Sequence, residues 1–181
     1  MAINVGTSAA FRMVRWNRPA KSKIPMGLFR YVVDEERDVI GGAVSNAGNL
    51  RPWGLRELRL LKDATSNRLI FSRPLAATDK LIVLPFWAGE RAPTWPEHLA
   101  GIILGLTQAT TAADLARATT AAVSLRLAVL LELPEGARGP AQKTILSGGI
   151  PDSPASLTLP TTALGQHRAP SHDPKPSPPA P

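Results

Sequence analysis

The order of hydrophobic and polar residues predicts that the chain opens with two β-hairpins. Ala2–Val5 is short and apolar, and Phe11–Arg15 alternates apolar with polar residues as a half-buried strand does. The segment Gly6-Thr7-Ser8-Ala9 between them has the composition of a tight turn, which predicts the first hairpin. Leu28–Val33 and Asp38–Gly42 flank a charged four-residue turn and predict the second hairpin.

Two later segments have helical spacing. Asn49–Lys62 is predicted as a helix with Asn49 as its cap and its proline in the first turn. Thr111–Leu133 is the longer helix, and Thr111 with Asp114 has the spacing of a capping box. A proline and a glycine directly after it predict its end. Its apolar stripe is predicted to consist of Leu115, Ala118, Ala122, Leu125 and Val129.

Two short apolar runs complete the predicted elements. Leu81–Leu84 is predicted as a buried strand that ends at a proline. Lys143–Leu146 is predicted as a strand that runs into Ser147-Gly148-Gly149. Hairpins followed by helix, strand and glycine turn indicate a mixed α/β layered domain.

Composition narrows the possible chemistry. The 181 residues are 44% hydrophobic, which suits one domain with a real core. The absence of cysteine excludes a disulfide scaffold, a thiol nucleophile and a cysteine-ligated metal site, and three histidines make a resident metal site unexpected. The longest apolar stretch, Ala118–Leu133, is too short to span a membrane, and the N-terminus lacks the pattern of a secretory signal. The expected location is the cytoplasm.

Charge and proline are unevenly distributed. Residues 1–73 hold 13 Lys and Arg against 6 Asp and Glu, so they carry the whole net charge of +7. Such a basic region favours an anionic partner, although a solvated surface has the same composition. Nine of the 18 prolines lie in residues 151–181, and residues 167–181 are therefore expected to form a Pro-rich disordered tail.

Three segments are candidates for a functional role. In Gly6-Thr7-Ser8, a glycine turn with two hydroxyls can approach and donate to a phosphate. Ser147-Gly148-Gly149 follows a strand, where open α/β sheets bind ligands, and its glycines leave a flat surface for a purine. Each alone also fits a plain turn. Glu90 and Arg91, within a loop rich in Trp and Pro, are predicted to hold that loop in place rather than to act as an acid and a base.

Taken together and in order, these segments resemble the FGGY carbohydrate kinases, and within them the gluconate and xylulose kinases. Gly6–Ala10 is similar to the family's second phosphate loop, and Gly41–Asn49 to its glycine-rich segment. Leu84–Trp95 is similar to its LPFLxGERxPxW loop, and Ser147–Gly149 to its adenosine loop. The family's signature pattern is matched in this region by Gly101, Ile103, Gly105, Leu106, Asp114, Leu115, Ala118 and Thr119.

The resemblance implies an actin-like ATPase (ribonuclease H-like) domain, the C-terminal half of a two-domain sugar kinase, over residues 1–166. It implies ATP with Mg²⁺ as the ligand, Gly6, Thr7 and Ser8 at the phosphates, and Gly148 and Gly149 at the adenosine. In the family, the sugar-binding domain and the catalytic Asp lie upstream of this region. No catalytic residue is therefore expected in residues 1–181, and a separate chain with the sugar-binding domain is a conceivable partner.

The sequence departs from the family pattern at several positions. Ala9 replaces a loop glycine and would be strained if that position required positive φ. Asn46 and Ala47 replace an acid and a glycine, and Thr120 and Ala121 replace an apolar and an acidic residue. A decayed kinase fragment is therefore an alternative to a working nucleotide-binding domain.

A different class of function is a basic module that binds nucleic acid or another polyanion. Basic residues interleaved with an aromatic side chain can hold a phosphate backbone and stack a base. The chain has such a cluster around Trp16: Arg12, Arg15, Arg18, Lys21 and Lys23. A solvated hairpin edge has the same composition, and nucleic acid is the disfavoured partner.

Overall fold

A mixed β-sheet lies at the centre of the protein in a computed structural model that describes residues 1–16, 23–60, 80–94, 96, 98–138, 144–148 and 169–170. In chain order the described strands are β1 (Ala2–Val5), β2 (Ala9–Arg15), β3 (Phe29–Val32), β4 (Asp38–Val44), β5 (Ile82–Leu84), β6 (Ile102–Leu104), β7 (Ile145–Gly148) and β8 (Ala169–Pro170). The described helices are α1 (Leu50–Glu57) and α2 (Ala112–Arg138). The mixed α/β architecture is confirmed. The expectation of a disordered tail does not hold at Ala169–Pro170, which pair with β7, and the rest of residues 167–181 lies outside the described ranges.

The strand order of the large sheet is β3-β4-β2-β1-β7-β8. Strands β1 to β4 pair antiparallel and include both predicted hairpins, while β7 pairs parallel with β1 and with β8. Because β4 and β1 both run antiparallel to β2, the carboxyl ends of β1, β4 and β7 lie at one edge of the sheet. The loops that follow these three strands are therefore brought together.

Helix α2 covers one face of this sheet and forms the main hydrophobic core with it. Leu127, Leu130 and Leu131 of α2 are buried in one cluster with Ile3 and Phe11 of the sheet. The same cluster includes Val5, Ala9, Leu28, Ile40, Val44, Leu50 and Leu146. Thus the hairpin strands and α2 stabilise each other by burying apolar surface.

The predicted apolar stripe of α2 is wrong for its C-terminal half. Leu125 and Val129 are 52% and 50% exposed, whereas Val123 and Leu127 on another face are buried. The prediction is wrong because the buried face carries the polar residues Thr119 and Ser124. Their hydroxyls donate to carbonyls one turn earlier, on Leu115 and Thr120. Because these hydroxyls are satisfied within the helix, the face that carries them packs as an apolar one.

The ends of both helices differ in part from expectation. Asn49 does not cap α1 with its side chain, since its Oδ1 accepts instead from the amide of Ala47 at 2.8 Å, and α1 ends at Glu57. The capping box of α2 is confirmed: the Asp114 amide donates to Thr111 Oγ1 at 3.2 Å, and the Thr111 amide to Asp114 Oδ2 at 3.0 Å. Helix α2 continues to Arg138, beyond its predicted end.

Strands β5 and β6 form a separate two-stranded ribbon beside α2. The predicted strand is confirmed in position but not in burial, because only Val83 is buried. The register pairs Ile82 with Leu104 and Leu84 with Ile102, which places four large apolar side chains on one exposed face. A cavity of about 650 Å³ separates the ribbon from α2. Within the described residues, no helix has both the length and the apolar character needed to cross a bilayer.

A buried ion-pair cluster closes the opposite edge of the sheet. Asp38, at the start of β4, is fully buried and pairs with Arg15 of β2 and with Arg30 of β3, the latter at 2.6 Å. Burial disfavours the charged carboxylate, but the two guanidinium groups outweigh it and hold the pKa of Asp38 below its ordinary value. Asp38 is therefore a structural carboxylate that joins three strands.

Candidate functional site

The two glycine segments predicted from sequence are brought next to each other by the parallel pairing of β1 with β7. The register sets Asn4 opposite Ser147 and Val5 opposite Gly148, and the Asn4 side-chain amide donates to Ser147 Oγ at 3.1 Å. The turn Gly6-Thr7-Ser8 leaves the sheet directly after Val5. It therefore starts beside Gly148 at the carboxyl edge of the sheet; Gly149 lies outside the described residues.

The first of these segments is a tight turn with free donors. The Gly6 amide donates to the Ser8 carbonyl at 2.9 Å, and Thr7 is exposed at the tip. Among the described residues, the hydroxyls and the amides of Thr7 and Ser8 have no hydrogen-bond partner. Ala9 begins β2 without a positive φ, so the conditional strain at this position does not arise. The turn thus offers four donors to an anion.

Gly148 ends β7 in a conformation that requires glycine. Its φ is +104°, and a Cβ there would lie 2.2 Å from the carbonyl oxygen of Val5. Any side chain would push the two parallel strands apart at the point where the site is formed. The glycine therefore serves the close approach of β7 to β1.

A third loop, Ser45–Asn49, holds the first turn from the side of β4. The Gly48 amide donates to the Gly6 carbonyl at 2.9 Å, and the Asn49 amide donates to the Thr7 carbonyl at 3.1 Å. A Cβ on Gly48 would lie 2.4 Å from the Gly6 oxygen, so this contact also depends on glycine. This loop belongs to the glycine-rich segment Gly41–Asn49, and its local sequence pattern predicts no contact with the first turn.

Glu90 and Arg91 bind the end of β4 and the start of this third loop. Glu90 is 4% exposed, and its Oε1 accepts from the amides of Ser45 at 3.1 Å and of Arg91 at 2.8 Å. The Arg91 guanidinium donates to the Val44 carbonyl at 3.1 Å. Arg126 of α2 lies 3.3 Å from the other Glu90 oxygen. Glu90 thus has both oxygens engaged in contacts within the protein.

Asn46 and Arg126 are two participants that sequence reasoning missed. Asn46 is 2% exposed and links the third loop to Ala88 and Gly89, while Arg126 is the cation within an otherwise apolar run of α2. The charge of Arg126 in that run was the available signal, because a charge inside an apolar helix face usually has a buried partner.

One member of the basic cluster around Trp16 lies in the interior of the protein. Arg15 is 5% exposed and paired with Asp38, so it cannot contact a polyanion. Trp16 itself is 65% exposed, and the Arg37 guanidinium lies 5.1 Å from the centre of its ring. Arg18 and Lys21 lie outside the described residues. Across the described ranges, no group of three or more His, Cys, Asp and Glu side chains is placed to hold a metal ion.

Comparison with known proteins gives a consistent result. The model of the FGGY family of carbohydrate kinases, C-terminal domain, matches residues 1–172. Gluconokinase from Bacillus subtilis is 31% identical over 163 residues, which cover 83% of this chain and 31% of that protein. The chain thus spans about a third of the length of this relative.

Solved structures agree with the sequence matches. Gluconate kinase from Lactobacillus acidophilus superposes with a TM-score of 0.75 at 27% identity, over 91% of this chain and 33% of that one. Plasmodium falciparum glycerol kinase, solved with ADP, gives a TM-score of 0.80 at 18% identity over 96% of this chain and 35% of that one, which bears on the fold alone. The expected actin-like (ribonuclease H-like) fold is confirmed.

Proposed function

The chain belongs to the FGGY family of carbohydrate kinases, as their C-terminal domain, and from this premise we propose that it binds the nucleotide for ATP-dependent phosphorylation of a sugar or sugar acid. The observation that carries the proposal is the meeting of the Gly6-Thr7-Ser8 turn with Gly148 at one edge of the sheet. The turn supplies donors for phosphate, and the carboxyl end of β7 is where an open α/β sheet takes the adenosine.

The residues present fit a nucleotide. Gly6 leaves its phosphate-facing side open, since a Cβ there would have no neighbour closer than 3.9 Å. Thr7 and Ser8 would donate hydroxyl and amide hydrogens to the terminal phosphates, and Gly148, with Gly149 after it, would lie beside the adenosine. Mg²⁺ would arrive with the nucleotide and neutralise charge on its phosphates.

Nucleotide binding is tested by calorimetry with residues 1–181 and ATP in the presence of Mg²⁺. We expect saturable binding that weakens about tenfold in Thr7→Ala combined with Ser8→Ala, since donors to a charged phosphate are removed. Thr107→Ala, in a loop outside the site, is the matched control and should bind as the wild type does. A wild-type protein that does not bind ATP, or a double variant with unchanged affinity, would contradict the proposal.

We also propose that residues 1–181 alone do not phosphorylate a sugar. Phosphoryl transfer requires a base within hydrogen-bond reach of the sugar hydroxyl. Among the described carboxylates, Glu90 is the one that contacts the loops of the site, and both of its oxygens are engaged. The sugar-binding site and the base would be supplied by the other part of a two-domain kinase, on the same chain or on a separate one. This fits the length of the relatives, which are about three times as long as this chain.

The turnover experiment is an ADP-release assay with gluconate or xylulose as acceptor. Residues 1–181 should give no release above the acceptor-free background, while Bacillus subtilis gluconokinase with gluconate provides the positive control. Acceptor-dependent ADP release by residues 1–181, abolished by Thr7→Ala with Ser8→Ala, would show that the polypeptide is a complete enzyme.

A further inference from the structure

Two rigid contacts connect the core of the protein to the Gly6-Thr7-Ser8 turn through the loop Ser45–Asn49. At one end of this loop the Gly48 and Asn49 amides hold the carbonyls of Gly6 and Thr7. At its other end Ser45 is held by Glu90. The conformation of the turn therefore depends on the contacts that hold the residues between Ser45 and Gly48.

Asn46 is the side chain that fixes the middle of this loop. Its Nδ2 donates to the Gly89 carbonyl at 2.8 Å, and its Oδ1 accepts from the Ala88 amide at 3.0 Å. The same oxygen accepts from the Asn49 side-chain amide at 3.3 Å. A carboxamide is the group that can both donate and accept in this way, and at 2% exposure water does not replace it.

The side-chain contact with Asn49 extends this effect to the turn. Asn49 Oδ1 accepts from the Ala47 amide at 2.8 Å, and its own backbone amide donates to Thr7. Through Asn49, Asn46 thus acts on the carbonyl of Thr7, one residue before the Ser8 hydroxyl. Loss of the carboxamide would leave buried partners unsatisfied and release the loop.

We propose that Asn46 is a positioning residue for the phosphate turn, one that sets the orientation of the Thr7 and Ser8 donors without contacting the nucleotide. This inference rests on the proposed function. It predicts a specific defect: affinity for nucleotides with β- and γ-phosphates falls, and affinity for the adenosine part does not.

The experiment measures displacement of a fluorescent ATP analogue by ATP and by AMP from wild-type and variant chains. In Asn46→Ala, we expect ATP to bind about tenfold more weakly and AMP to bind within about twofold of wild type. Asn46→Asp keeps the acceptor and loses the donation to Gly89, so its affinity for ATP should lie between those of the wild type and Asn46→Ala. It also serves as the test variant if the alanine variant does not fold.

The matched control is Asp38→Asn, which removes a buried polar contact about 20 Å away at the other end of β4. It should lower the melting temperature and leave the ratio of ATP to AMP affinity unchanged, whereas a merely structural role for Asn46 would give the same result in both variants. A folded Asn46 variant with the wild-type ratio overturns the inference. A wild-type chain that binds neither nucleotide overturns the proposed function itself.

Discussion

At the scale of single residues, the backbone of the site is most constrained at Gly148 and least constrained at Gly6. Gly148 has φ +104° and a Cβ there would lie 2.2 Å from the Val5 oxygen, while a Cβ on Gly6 would meet nothing within 3.9 Å. The two glycines lie next to the same strand end, yet only Gly6 has room for a side chain. Glycine at Gly148 is a requirement of the fold, whereas at Gly6 the space beside the backbone is open.

Gly148→Ala should therefore destabilise the protein by more than about 2 kcal/mol, through backbone strain and separation of β7 from β1. Gly6→Ala is the control and should change the free energy of unfolding by less than about 1 kcal/mol. Urea unfolding followed by tryptophan fluorescence measures both. Equal stabilities of the two variants would show that β7 does not approach β1 as described.

The Asp38 carboxylate gives a second prediction at this scale. The pKa of Asp38 is lowered in the folded protein. Its contribution to stability is therefore fully present above the pKa of an aspartate in the unfolded chain, about 3.9, and is lost as pH falls below that value. Asp38→Asn should cost about 3 kcal/mol at pH 7, because two guanidinium groups lose their buried partner. It should also flatten the decline of stability between about pH 4 and pH 2.

The control for this pH effect is Asp34→Asn. The pKa of Asp34 is also lowered, chiefly by the hydrogen bond from Arg37, but the pair lies in an exposed turn. Raised salt should suppress the contribution of Asp34 and spare that of Asp38. Denaturation midpoints at low and high salt distinguish the two carboxylates, and a salt-sensitive Asp38 would contradict its burial.

At the scale of elements, helix α2 presents apolar side chains on two faces and buries one of them against the sheet. Leu127 is 1% exposed and Leu125 is 52% exposed, although they are two positions apart in the same helix. The exposed face lines the cavity beside the β5–β6 ribbon. The core depends on the face that carries the small hydroxyl residues.

Leu127→Ala and Leu125→Ala form a matched pair that tests this orientation. The first removes a fully packed side chain and should cost about 2–5 kcal/mol of unfolding free energy. The second should cost less than about 1 kcal/mol, because the leucine is half in water already. If Leu125→Ala proved the more costly change, the helix would face the sheet with the stripe predicted from sequence.

These elements show what the sequence can and cannot predict. The hairpins, the ribbon strand and the capping box follow from local patterns, because turn residues and caps act over a few positions. The buried face of α2 and the end of α1 do not, because they depend on packing between distant segments. The location of Gly6 and Gly148 at strand ends was predicted from sequence, and their contact with a nucleotide stays a prediction. The contacts of Asn46 could not be predicted, because its partners Ala88 and Gly89 are 42 and 43 residues away.

At the scale of the whole molecule, the β5–β6 ribbon is unusual because both of its faces are apolar. Val83 is buried, and the other face exposes the four side chains Ile82, Leu84, Ile102 and Leu104 by 37–57% each. A solvated ribbon would alternate apolar with polar residues. This face should therefore dominate the binding of hydrophobic dyes to the isolated chain.

Ile82→Thr combined with Leu104→Thr should lower the fluorescence of bound anilinonaphthalene sulfonate at least about twofold, because it breaks the contiguous patch. The unfolding free energy should change by less than about 1 kcal/mol. Met26→Thr removes a side chain that is 78% exposed but lies outside the ribbon, and should leave the dye signal unchanged. Equal dye fluorescence from the wild type and the double variant would show that the dye binds outside the ribbon.

The parallel pairing of β1 with β7 has a consequence for synthesis of the protein. Asn4 and Ser147 are joined by a hydrogen bond but lie 143 positions apart. β1 therefore cannot pair with β7 until most of the chain has been synthesised. At about 5–20 residues per second, that interval is roughly 7 to 30 seconds. The hairpins of β1 to β4 can form on the ribosome during this time, with one edge of β1 still unpaired. The edge of the sheet formed by the ends of β1 and β7 is therefore assembled late, and a nascent chain interrupted before residue 145 would carry the Gly6-Thr7-Ser8 turn without the strand that lies beside it.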